Sequence, residues 1–66
     1  MEMVRVFSSA ISAIGYDPET RRMKVRFISG VTYDFCRVPP DVVDRFMKSP
    51  SKGGFYNSHI RDRYPC

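Results

Sequence analysis

The chain predicts an α+β fold: a three- or four-stranded antiparallel meander packed by one or two short C-terminal helices. Three observations carry it. "RMKVRF", Arg22 to Phe27, alternates basic and apolar residues at the period of a half-buried strand. A glycine-bearing turn leads from it into a second β-rich segment, "VTYDFCRV". From Pro39 onward the pattern changes to a proline start followed by apolar residues at helical spacing.

Taken in order, Ala10 to Tyr16, "AISAIGY", reads as a strand with Ile14 and Tyr16 on one face. Val4 to Phe7 either extends it or forms a short edge strand. Asp17-Pro18 then supplies type I turn chemistry, because proline presets φ and the aspartate carboxylate can accept from the backbone ahead of it. The strand from Arg22 to Ile28 sets Met23, Val25 and Phe27 on one face and Arg22, Lys24 and Arg26 on the other.

The next turn admits two registers. A two-residue loop, Ser29-Gly30, pairs Ile28 with Val31 and puts Tyr33 and Phe35 beside Lys24 and Arg26 as a stacking platform. A three-residue loop, Ile28-Ser29-Gly30, pairs Phe27 with Val31 and sends Val31, Tyr33 and Phe35 to the core. One residue of slip flips every side chain, so the two exclude each other. The three-residue loop is favoured: it needs positive φ only at Gly30, and it sets Lys24 opposite Asp34 instead of burying that aspartate beside Val25.

"PPDVVDRFMKS" reads as a helix. Prolines suit its start, Asp41 and Lys48 suit its two ends, and Val42 or Val43 with Phe46 and Met47 gives the apolar stripe. Asp41–Arg45 and Asp44–Lys48 are candidate ion pairs at a spacing of one helical turn. "SPSKGG" breaks the chain, and Gly54 to Arg61 reads as a second short helix. In it Phe55 and Ile60 face inward, and Asn57 is expected to pin the loop Ser49 to Gly53.

The length, 66 residues, suits one domain spanning 1–66, with a thin stability margin. Two cysteines, Cys36 and Cys66, do not read as a disulfide framework, and one histidine leaves no zinc spacing. No metal or cofactor is expected. The absence of a signal-peptide pattern and of any membrane-length apolar run points to a soluble, reducing, cytoplasmic setting, as monomer or homodimer. The net charge of +4 permits polyanion binding without specifying it.

The order of "AIGYD", "MKVRF", a Gly turn, Tyr33-Asp34-Phe35, Val38-Pro39, "SKGGFYN" and "IRDRY" resembles the KTSC domain, named for its occurrence at the C-terminus of some lysyl-tRNA synthetases. The family's usual centre is Tyr-x-Tyr; Phe35 here keeps the ring and lacks the second hydroxyl. The resemblance implies a compact α+β domain found also as a stand-alone bacterial or phage protein, and its occurrence beside a tRNA-charging enzyme implies RNA over DNA as a ligand.

The candidate nucleic-acid contacts are the strand cations Arg22, Lys24 and Arg26, then Lys52, His59, Arg61 and Arg63, with Tyr56 and Tyr64 as stacking surfaces. The glycines Gly53-Gly54 could add backbone donors. Each has a plainer reading: a solvated sheet face for the strand row, ordinary solubility for the C-terminal cations, and packing for the tyrosines. A metal-independent ribonuclease would need an acid–base partner for His59, and none is evident, so the reading is of a non-enzymatic module. The alternative class is a protein-interaction module, such as a phage or mobile-element accessory protein docking a host factor through adaptable apolar surface.

Overall fold

A computed structural model describes residues 1–66 as a meander of four antiparallel strands in the order β1-β2-β3-β4, followed by helices. The strands are β1 (Met3–Arg5), β2 (Ile11–Asp17), β3 (Arg22–Phe27) and β4 (Thr32–Phe35). The alternation read in β3 is the burial observed: Met23 and Val25 are fully buried, while Arg22, Lys24 and Arg26 are exposed. The turn before β3 closes wider than a four-residue turn. The Arg21 amide donates to the Asp17 carbonyl at 2.7 Å, and the Asp17 carboxylate accepts from the Glu19 amide at 3.0 Å.

The register of β3 with β4 is the one favoured above. Lys24 stands opposite Asp34 and Val25 opposite Tyr33, and the Phe27 amide donates to the Val31 carbonyl at 2.8 Å. Only Gly30 within the loop takes positive φ, at 96°, and its amide donates back to the Phe27 carbonyl at 2.9 Å. A Cβ at Gly30 would meet nothing within 4 Å, so any cost of adding one is backbone strain alone. Gly30→Ala is therefore expected to cost about 1–2 kcal/mol. A chemical-denaturation midpoint unchanged from wild type would contradict this.

The outcome for the second half of the hairpin is different. Phe35 enters the core, but Val31 and Tyr33 are exposed, at 47% and 52%. They lie on the core side of the sheet, but β4 is an edge strand and the core beneath it ends at Phe35. Alternation assigns a face; it does not say how far the covering layer extends.

In β2 a bulge between Ile11 and Ala13 changes the alternation. It lets Ile11, Ile14 and Tyr16 all face the core, with Ala13 on the other side against Arg26. The Tyr16 hydroxyl donates to the Val38 carbonyl at 2.7 Å, fastening the sheet to the start of the first helix.

The first helix, α1 (Pro40–Lys48), buries Val43 and Phe46. Of the two expected ion pairs, only Asp44–Lys48 forms, at 3.0 Å. Arg45 instead lies over the Phe55 ring, 5.8 Å from its centroid, so its guanidinium is drawn to an aromatic face rather than to Asp41. The second helix begins earlier than expected: α2 (Lys52–Phe55) runs directly into a π-helical turn, Tyr56–Ile60. Ser51 caps it by accepting from the Gly54 amide at 3.3 Å. Ile60 is fully buried, and Phe55 stacks on Phe46 at 5.3 Å. Asn57 does not pin the preceding loop. It is exposed, and Ser49 holds that loop instead: its hydroxyl donates to the Ser51 carbonyl at 3.0 Å, and its carbonyl accepts from Lys52 Nζ at 2.8 Å.

The two cysteines also depart from expectation: Cys36 and Cys66 form a disulfide, with Cα atoms 4.8 Å apart. The cause is the path of the C-terminal segment. The Cys36 amide donates to the Tyr64 carbonyl at 3.0 Å, which lays residues 64–66 beside the end of β4. Spacing in sequence carries no trace of that approach.

Candidate nucleic-acid interface

Two surfaces carry the candidate residues, one on each side of the sheet. The outer face has no helix over it. Pairing places Arg5 of β1 beside Ala13, and Ala13 beside Arg26 of β3, so Arg5 joins Arg22, Lys24 and Arg26 on that face. All four cations are exposed. Their local partners are weak: Lys24 Nζ lies 3.7 Å from the Asp34 carboxylate in a pair about half-exposed, and Arg26 Nε meets the Thr32 hydroxyl at 3.5 Å. Exposed pairs of this kind contribute little and yield readily to a stronger anion. Close to this row, Met1 and Met3 fold over Gly15, where a Cβ would come within 2.6 Å of Met3 Sδ.

The inner side of the β4 edge is a different environment. An open groove of about 620 Å³ runs between the core-side residues of β4 and the segment from Tyr56 to Asp62. Phe27, Tyr33 and Phe35 form one wall; Tyr56, Arg61 and Asp62 form the other. Its aromatic rings brace one another edge to face, Phe27 with Tyr33 at 5.7 Å and Phe27 with Tyr56 at 4.9 Å. Burial pushes the Tyr56 phenol up from its ordinary value near 10.0; Tyr33 and Asp62 push the same way, and Arg61 opposes them. Around neutral pH the phenol therefore keeps its proton and can donate it in a hydrogen bond.

The backbone of β4 borders this groove with unused groups. In an antiparallel ladder, alternate residues turn both N–H and C=O toward the partner strand. Val31 turns its carbonyl to β3, and Cys36 turns its amide away to Tyr64. That parity points the N–H and C=O of Thr32 and Asp34 outward, where no protein group bonds them.

The residues singled out from sequence therefore do not form one patch. Arg22, Lys24 and Arg26 stand together on the outer face, and Tyr56 and Arg61 stand together in the groove. Lys52 Nζ donates to the Ser49 carbonyl and lines neither surface, and Tyr64 is half-buried against the core. His59 is exposed, with its ring 4.5 Å from that of Phe55, and it lines neither surface. Arg63 is exposed, and Arg61 Nε lies 3.9 Å from Asp62. Arg5 and Tyr33 were missing from the sequence reading. Arg5 needed the pairing of β1, and Tyr33 was assigned to the core by alternation.

A four-stranded meander with helices on one face, a basic outer face and an aromatic edge groove defines a small α+β domain. The KTSC domain model matches residues 7–64, and the chain belongs to the KTSC family. It is 42% identical to a protein of Tsukamurella paurometabola over 62 residues, covering 94% of this chain and 92% of that one. It is 32% identical to the lysine–tRNA ligase of Nostoc punctiforme over 56 residues, which covers 85% of this chain and 10% of the ligase. A crystal structure of a KTSC domain protein from Yersinia pestis superposes with a TM-score of 0.92 at 35% identity, covering 96% of this chain and 89% of that one. No helix of the chain is long and apolar enough to cross a membrane.

Proposed function

We propose that the domain is a non-enzymatic module that binds nucleic acid, RNA in preference to DNA, through phosphate contacts on the outer face of its sheet. The observation that carries this reading is the set Arg5, Arg22, Lys24 and Arg26 on one exposed sheet face, in a chain of net charge +4. Cations on adjacent strands meet a phosphate backbone without reading its bases, so affinity should depend on salt more than on sequence. RNA is preferred because related domains occur within lysine–tRNA ligases, enzymes that handle RNA. Binding of short RNA is expected to fall steeply between low and moderate salt. Replacing Arg22 and Arg26 together by Gln should weaken binding on every sequence and lower the salt slope by about 1.5–2, at roughly one unit per lost phosphate contact. Binding that ignores salt, or none at low salt, would sink the proposal.

A second reading, a protein-docking module, draws on the exposed apolar side chains of Phe7 and Ile28, at 103% and 60%. A partner that survives nuclease treatment in a pull-down, and is lost on Phe7→Ser, would favour it.

A further inference from the structure

We propose that the groove beside β4 is a stacking and edge-reading site for one unpaired nucleobase, which makes single-stranded nucleic acid the ligand class; this rests on the nucleic-acid reading above. Three features fit one occupant. Tyr33 is half-exposed and packed in a T-shaped pair with Phe27, so its ring is accessible and already restricted in side-chain freedom. The outward Thr32 carbonyl and Asp34 amide set an acceptor beside a donor along the strand edge. Every nucleobase carries an adjacent donor and acceptor on its pairing edge, and only an unpaired base has them free. The space, about 620 Å³, lies within the range of small-ligand pockets and is open enough for a base to remain joined to its chain.

Charge sorts the parts of such a ligand. The groove's two acids are already paired, Asp34 with Lys24 at 3.7 Å and Asp62 with Arg61 at 3.9 Å. The interior therefore suits a neutral ring. Arg61 on the far wall and Lys24 on the other side of β4 flank the groove, and each keeps N–H donors that can meet a phosphate while its carboxylate stays paired. A base within a duplex is already stacked and paired and cannot enter. A strand lying over the Lys24 and Arg26 row could turn one base around the β4 edge.

The test is fluorescence anisotropy at low salt with a labelled short single-stranded RNA and with the same sequence as a blunt duplex. Single strand is expected to bind about tenfold or more tightly than duplex. Tyr33→Ala should weaken the single strand by about 5- to 150-fold, the range for losing one stacked base, while Tyr33→Phe keeps it within about twofold. Circular dichroism checks that both variants fold. A readout on the wild type does not depend on any variant. With no tryptophan present, tyrosine emission is visible, and single strand should quench it while duplex does not. Absence of binding to either form overturns the nucleic-acid reading and this inference together. Salt-dependent binding that is equal for duplex and single strand, gives no quenching, or is unchanged by Tyr33→Ala overturns the groove alone and leaves the basic face standing.

Discussion

Phe46→Ala is expected to leave the domain largely unfolded at room temperature once its disulfide is reduced. Phe46 is the largest of the fully buried side chains, in a core cluster with Ile11, Ile14, Met23 and Ile60. It is also the inner member of a stack: Phe55 lies on it at 5.3 Å, and Arg45 lies over Phe55. Truncating a buried phenylalanine costs about 3–5 kcal/mol, from lost transfer energy plus the cavity left behind. The hydrophobic core of a domain this small supplies about 3–5 kcal/mol in all, so the loss and the margin are of one size. Circular dichroism through a denaturant series under reducing conditions should show no cooperative folded baseline. Val42→Ala, at a half-buried position on the same helix, should keep one with a lower midpoint. A cooperative Phe46→Ala transition near the wild-type midpoint would mean that the helix layer is not what closes this core.

The strands were legible because β3 has a clean period of two and because Gly30 admits only one inexpensive hairpin. Those two local facts fixed the register, and with it the face of Lys24 and its partner Asp34. The α1 helix was legible from its prolines and its apolar stripe. What failed were statements about reach. Tyr33 has the right face for the core, but the helix layer does not extend over it, and no local signal encodes where a covering layer stops. The pairing expected for Asp41–Arg45 failed for a similar reason: Phe55, remote in sequence, offers Arg45 an aromatic face.

The candidate site was half legible. Charge alternation found Arg22, Lys24 and Arg26 because strand geometry guarantees that they share a face. Arg5 required knowing that β1 pairs with β2 at Arg5–Ala13, a register set by a three-residue strand with almost no pattern. The groove required knowing that the π-helical turn carries Tyr56 over Phe27 and Phe35. Residues in irregular helix reach positions that a 3.6 period does not forecast. The bond from the Lys52 ammonium to the carbonyl at the end of α1 was not legible either, because it is set by the loop's conformation and not by its composition.

Reduction of Cys36–Cys66 is expected to lower stability by about 3–4 kcal/mol on the chain-entropy account, because the bond closes a long loop in the unfolded chain. The sequence separation it spans is 30 residues and includes both helices, so its loss restores the freedom of that whole loop in the unfolded chain. What then holds the C-terminal segment is slight: the Cys36 amide to the Tyr64 carbonyl at 3.0 Å, the Arg63 amide to the Ile60 carbonyl at 3.1 Å, and the half-buried Tyr64 ring. Because the disulfide's contribution comes on top of the core's own few kcal/mol, the reduced protein should still fold, with a denaturation midpoint far below that of the oxidised form. Cys66→Ser should reproduce the effect without any reductant, which separates loss of the cross-link from other consequences of thiol chemistry. A thiol reagent should find no reactive cysteine in the oxidised native protein and two after reduction. Two reactive thiols in the untreated protein, or denaturation midpoints that coincide with and without reductant, would show that the helices are held to the sheet by packing alone. The Phe46 core would then have to supply the entire margin. The two measurements therefore constrain each other: the more the disulfide contributes, the less unfolded Phe46→Ala should be under oxidising conditions, and the wider the gap between its oxidised and reduced forms.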